Sequence, residues 1–80
     1  MPASVHHPRY AALQGHLKAM REAAGMTQID LAAALNVGQS FVSKIERGER
    51  YVDVLFYIEW CRSCGADPSR ALKALLAATS

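Results

Sequence analysis

Residues 27–48, TQIDLAAALNVGQSFVSKIERG, carry more local structural instruction than any other stretch of the chain. Thr27 precedes an apolar-periodic run and Asp30 follows at the capping-box spacing, where each side chain accepts from the other's free backbone N–H. A helix is therefore expected to start at Gln28. Leu31 and Leu35 recur at i and i+4 with Ala32 and Ala34 beside them, which gives this helix a thin apolar side that another helix can approach closely. Asn36-Val37-Gly38 should stop it, because Asn tolerates the left-handed conformation of a helix C-terminus and Gly38 can serve as the next N-cap. The pattern restarts at once, so two short helices around a tight turn are expected.

The second of these, from Gln39 to Arg47, divides into two faces by helical spacing. Val42 and Ile45, with part of Phe41, point inward. Gln39, Ser43 and Arg47 form one outward row, and Ser40 and Lys44 another; Gly48 ends the helix. This outward face lacks acids and carries groups that can address base edges: Gln pairs with adenine, Lys or Arg with guanine, and Ser with either. A polar face taken alone is equally a solvated surface. Its pairing with a capped helix, a small-residue contact side and a three-residue turn points instead to a helix-turn-helix that reads nucleic acid.

The run REAAGMTQIDLAAALNVGQSFVSKIERGER resembles the Cro/repressor (XRE-type) helix-turn-helix family, and the similarity extends over roughly residues 10–75. The resemblance implies an all-α, lambda-repressor-like bundle of five helices, with the third lying in the major groove of duplex DNA. It also implies that Gln28 grips a phosphate and braces the base-reading Gln39, and that Ser40, Ser43 and Lys44 make further base or backbone contacts. Arg21 and Glu46 match positions that form an internal ion pair in many members. The sequence departs from the family pattern at Gly38, where Ser or Thr is more usual, and at Phe56, where a polar residue is common. Cys61 and Cys64 stand where Ala and Leu are usual.

A chain of 80 residues suffices for one core, so no small-molecule-sensing domain is expected beside it. The net charge of +2 says less than its distribution, because Lys44, Arg47 and Arg50 gather at the end of the reading helix. If Glu46 is tied to Arg21, that side stays cationic. No apolar run is long enough to span a membrane and the first residues lack the apolar core of a secretory signal, so a cytoplasmic, nucleoid-associated protein is expected.

Residues 1–8, with two prolines and no periodicity, read as a loose arm; the neighbouring His6 and His7 cannot share a helix face and are not expected to hold a metal. Leu13, Leu17, Met20 and Ala24 mark a first helix over residues 9–24, closed by Gly25, with His16 at its boundary. Residues 51–64 are apolar nearly all round. Tyr57, Trp60, Cys61 and Cys64 are assigned to the core, and Val52, Leu55 and Phe56 to the opposite stripe with Glu59 and Arg62. An exposed apolar patch rimmed by charge is a candidate interface, so a homodimer through Val52, Leu55, Phe56 and Glu59 is expected; cover from the Tyr51 loop or the C-terminal residues is the alternative. Cys61 and Cys64 have C-x-x-C spacing, but no second ligand pair accompanies them, which favours small core thiols over a metal site. Asp67-Pro68 starts a last helix with Leu72, Leu75 and Leu76 on its apolar side, the domain running to residue 77 and residues 78–80 fraying.

The residues together with the resemblance imply a dimeric, sequence-specific binder of double-stranded DNA, and a bacterial or phage repressor that reads a palindromic operator through residues 38–47 is expected. Its DNA contacts would come from Gln28, Gln39, Ser40, Ser43, Lys44, Arg47 and Arg50. No cofactor is implied. The alternative is a protein-interaction or antitoxin-like module in which DNA contact is secondary. An enzyme is disfavoured, because no phosphate loop, paired carboxylates, metal constellation or nucleophile-base arrangement is present.

Overall fold

In the computed structural model of the chain, which describes residues 7–79, the Thr27–Asp30 cap forms in full. Thr27 Oγ1 accepts from the Asp30 N–H at 3.0 Å and Asp30 Oδ2 from the Thr27 N–H at 2.9 Å. Asn36 then takes the left-handed conformation at φ 58° and ψ 44° and ends the helix. Five helices result: α1 (Pro8–Ala23), α2 (Gln28–Leu35), α3 (Gln39–Glu46), α4 (Val54–Ser63) and α5 (Pro68–Thr79), with no strand among the described residues.

The core lies between α1, α2, α3 and α4 and consists of Leu17, Leu31, Ala32, Val42, Ile45, Tyr57, Trp60 and Cys61. Its largest member, Trp60, is fully buried, and its indole N–H donates to the Leu17 carbonyl at 3.1 Å, which ties α4 to the middle of α1. Ala32 contributes the small side chain on which α2 packs closely; Ala34, assigned to the same side from spacing, is exposed. α3 rests on α2 and α1 through Val42 and Ile45, so its other side is left to solvent.

Helix ends differ from expectation where a local cap outweighs periodicity. α1 starts at Pro8, within the expected arm, because His7 Nδ1 accepts from the Arg9 N–H at 3.1 Å and proline lacks the N–H that a first helical position leaves unpaired. The rest of the arm, with His6, lies outside the described residues, as does Ser80. α4 starts at Val54, three residues later than its apolar run suggests, because Asp53 Oδ1 caps it by accepting from the Phe56 N–H at 2.8 Å. α5 continues to Thr79, whose hydroxyl donates back to the Leu75 carbonyl at 3.0 Å.

The outer side of α4 and α5 carries most of the exposed large apolar side chains among the described residues, with Ile29 and Tyr51 standing apart from it. Val54, Leu55, Leu72 and Leu76 are 73%, 75%, 46% and 60% exposed, and α5 has no buried residue. Phe56 is only partly on that surface: it is half-buried, with its ring 5.4 Å from Phe41 and 6.4 Å from Trp60, and it lines an open groove with Leu55 and Glu59. On a helix it stands one turn before Trp60 and so flanks the core stripe rather than opposing it. Val52 is half-buried too, while Leu55 and Glu59 are exposed.

His16, expected at the boundary, is half-buried beside α4, with its Nε2 2.8 Å from the Tyr57 hydroxyl and the two rings stacked. Burial lowers its pKa below the ordinary 6.5, so folding favours the neutral ring. The unfolded chain then takes up the proton first. The stabilisation is complete above 6.5 and is lost as pH falls through the lower folded value. Thermal unfolding followed by circular dichroism will show a midpoint that drops as the pH is lowered below neutrality, and His16→Gln will flatten that part of the profile.

Candidate nucleic-acid interface

Glu46 ends α3 with its side chain turned under the helix, where it is 3% exposed, and Arg21 of α1 meets it at 11% exposure. Arg21 Nε donates to Glu46 Oε2 at 2.7 Å and Nη2 to Oε1 at 3.0 Å; the remaining Nη1 donates to the Met26 carbonyl at 2.8 Å. Hydrogen bonding to Glu46 pushes the Arg21 guanidinium further above its ordinary pKa. One ion pair thus joins α1, the α1–α2 loop and the end of α3.

From Glu46 a side-chain chain runs outward. Gln28 Nε2, at the start of α2, donates to Glu46 Oε1 at 3.0 Å, and Gln39 Nε2, at the start of α3, donates to Gln28 Oε1 at 2.8 Å. Gln28 is half-buried and Gln39 exposed, so the chain rises from the interior to the surface. Ser40 and Lys44 are exposed on the same side of α3, and Ser43 is half-exposed between them. These residues stand together because Val42 and Ile45 hold the other side of α3 in the core.

The cations at the far end of α3 have partners that spacing did not reveal. Arg47 donates through Nε to Glu49 Oε2 at 2.6 Å and through Nη1 to the Ser43 hydroxyl. The pairing holds the Glu49 carboxyl below its ordinary pKa and raises that of Arg47. Both side chains are more than half exposed, so the bond is weak and an arriving phosphate can replace Glu49 at little cost. Arg50 lies with its guanidinium 4.3 Å from the centre of the Phe41 ring, and its carbonyl accepts from the Tyr10 hydroxyl at 3.1 Å. Tyr10 also meets the Tyr51 ring edge-on at 5.0 Å.

Gly48 makes this turn possible. It is buried with φ +76°, and a side chain there would run into the Gln14 amide, whose Nε2 donates to the Glu46 carbonyl at 3.4 Å. No sequence signal marked Tyr10, Gln14 or Phe41 as supports for this end, since their partners lie far along the chain or across a turn.

An exposed polar helix seated on a capped predecessor, with cations at its end and no acid at its start, is the geometry of a DNA-reading helix-turn-helix. A family model described as "Helix-turn-helix" matches residues 17–69, and the chain belongs to that family, of the XRE or Cro/repressor type. Among solved structures it is similar to an XRE-family like protein from Pseudomonas syringae pv. tomato str. DC3000, at 49% identity and a TM-score of 0.83 over 90% of this chain and 88% of that one. It is also similar to the clp gene regulator ClgR from C. glutamicum, at 28% identity and a TM-score of 0.75 over 86% and 90%. A variant of the restriction-modification controller protein C.Esp1396I matches at 25% identity and a TM-score of 0.79 over 86% and 87%. No curated protein matches the chain.

The protein is accordingly a regulator of transcription that binds double-stranded DNA, and not an enzyme. No helix among the described residues is long and apolar enough to cross a membrane.

Proposed function

We propose that the chain is a dimeric repressor that reads a palindromic operator by laying residues 38–47 in the major groove. The observation that carries this reading is the exposed row of Gln39, Ser40 and Lys44 on α3, with Gln39 braced by Gln28 at 2.8 Å. In it, Gln39 and Ser40 meet the first bases, Ser43 and Lys44 lie one turn further in, and Gln28, Arg47 and Arg50 hold phosphates. A repressor needs only to occupy its site and exclude polymerase, which one domain achieves. The related C. glutamicum protein is described as a gene regulator and the C.Esp1396I protein as a controller, and the same kind of role in the cytoplasm is assigned to this chain.

Dimerisation serves the reading physically. One short helix contacts too few base pairs to stand above phosphate-driven background binding, which typically has a Kd of about 10⁻⁴ to 10⁻⁶ M. Two copies related by a two-fold axis address half-sites one helical turn, about 34 Å, apart. The surface available for pairing is that of Val54, Leu55, Leu72 and Leu76, beside Val52 and Glu59; Phe56 contributes from below through its packing on Phe41.

The test is selection of bound duplexes from random DNA. An inverted repeat is expected, and recovery of no common sequence at low salt rejects the proposal. On the selected site, Gln39→Ala or Lys44→Ala will each lower affinity by about 1 to 3 kcal/mol and relax preference at one position of each half-site. Arg50→Ala will weaken all duplexes alike and reduce the salt dependence of binding by about one counterion. A uniform loss across sequences for Gln39→Ala would remove it from the base-reading set.

The exposure of Leu55 also suits a second reading, in which α4 and α5 receive a different protein and DNA contact is secondary. Mass measurement of the purified chain separates the two. A homodimer supports the repressor, and a monomer that pairs only with a foreign chain supports the interaction module.

A further inference from the structure

The buried ion pair and the exposed base-reading residue are the two ends of one hydrogen-bonded chain, and a chain of amides has a direction. A carboxylate only accepts hydrogen bonds, so whichever amide atom of Gln28 faces Glu46 must be its N–H group. That leaves the Gln28 oxygen toward Gln39, and Gln39 in turn must offer an N–H. The observed order, Gln39 Nε2 to Gln28 Oε1 at 2.8 Å and Gln28 Nε2 to Glu46 Oε1 at 3.0 Å, follows from the charge of Glu46 alone. Glu46 is itself unable to turn away, being 3% exposed and held by Arg21, which is anchored on the Met26 carbonyl.

We propose that Glu46, acting through Gln28, sets which base Gln39 prefers, so that the Arg21–Glu46 pair is a positioning device for sequence reading. The proposal rests on the assignment of Gln39 to base contact made above. With one N–H committed to Gln28, Gln39 presents its oxygen and a single remaining N–H to the groove. Adenine offers a matching N6–H donor and N7 acceptor. Guanine offers two acceptors, O6 and N7, and would require two donors. The relay therefore selects adenine against guanine. Replacing Glu46 by Gln supplies an amide that can face Gln28 with either atom, so Gln28 can turn, donate to the Gln39 oxygen and release both Gln39 N–H groups toward guanine.

The experiment compares the wild-type chain, Glu46→Gln and Gln28→Leu on duplexes that carry adenine or guanine at the position relaxed by Gln39→Ala. Both variants are expected to lower the ratio of adenine to guanine affinity by about 5-fold or more. A role confined to stability would instead weaken both duplexes equally. An unchanged ratio in both variants, at a position where Gln39→Ala abolishes the preference, overturns the relay and leaves base reading intact. If Gln39→Ala relaxes no position, base reading fails and the proposal falls with it.

A measurement on the free protein separates the two further. In the wild-type chain the two side-chain amide protons of Gln39 will give separated NMR signals, one shifted by donation to Gln28. In Glu46→Gln the shifted signal will move toward the values of an unpaired amide, and a spectrum identical to wild type contradicts the relay without recourse to DNA. Should Glu46→Gln not fold, the doubly substituted Arg21→Met, Glu46→Leu chain, which removes the acceptor for Gln28 without leaving a buried charge, carries the affinity test in its place.

Discussion

Arg21→Ala will destabilise the fold by about 3 to 5 kcal/mol, measured as a lower midpoint in urea at an unchanged slope. The guanidinium supplies two of the three side-chain donors to Glu46, and the carboxylate left behind, at 3% exposure, cannot recover them from water. A domain of this size has roughly 4 to 12 kcal/mol in total, so the variant will stand near its unfolding threshold. Changing both partners to apolar residues of similar volume removes the uncompensated charge. The doubly substituted chain, Arg21→Met with Glu46→Leu, will therefore recover most of the loss. It will not recover the acceptor for Gln28, so stability and base preference will part in that protein. A single substitution costing less than about 1 kcal/mol would mean that the pair is solvated in solution.

Trp60→Ala is the other change of comparable size, at about 3 to 5 kcal/mol. Trp60 has no exposure, fills the space between α1 and α4, and bonds the Leu17 carbonyl at 3.1 Å. Its removal leaves a cavity bordered by Phe56, which is already committed to Phe41 and cannot collapse inward without exposing that ring. Because Phe41 also carries the Arg50 guanidinium, the damage will extend to the end of α3. Trp60→Phe keeps much of the volume and loses the indole donor, so it will cost less than the alanine change. Equilibrium unfolding in urea ranks the two, and equal losses would show that volume is not what matters at this position.

These effects arise from contacts of different legibility in the sequence. The helix-turn-helix was written locally: Thr27 with Asp30, Asn36 at a left-handed position and Gly48 at another act within one turn of the chain. Asp67-Pro68 is of the same kind, with Asp67 Oδ1 accepting from the Ser69 N–H at 2.9 Å. The start of α4 was equally local, but the apolar run before it masked the cap at Asp53. The inward part of Phe56 was not legible because a helix that is apolar on most sides has no sharp periodic signal, and only its meeting with Phe41 turns the ring partly toward the core. The bonds of Tyr10 to Arg50 and of His16 to Tyr57 join residues some forty positions apart. No rule of spacing reaches that far. The pairing of Arg47 with Glu49 spans a turn rather than a helical row, so helical periodicity gave it no prominence. Family resemblance named two pairs, Gln28 with Gln39 and Arg21 with Glu46; the Gln28–Glu46 bond that joins them into one chain was visible only in three dimensions.

The apolar residues of α5 illustrate a different limit. Leu72, Leu75 and Leu76 form a side by spacing, yet Leu72 and Leu76 remain exposed while Leu75 is half-buried. Between α1, α4 and α5 a shallow groove of about 190 Å³ lined by Leu13, Val52, Val54, Tyr57, Leu72 and Leu75 stays open. Periodicity identifies which residues share a face, and packing decides which of them the chain itself covers.

The central assignment is of the face of the molecule that meets DNA, and NMR titration of the labelled chain with its selected duplex at low ionic strength reads that face directly. The largest shifts are expected at Gln28, at residues 39–44 and at Arg50, on backbone and side-chain amides alike. Shifts concentrated on Leu55, Leu72 and Leu76 with α3 unaffected would contradict it.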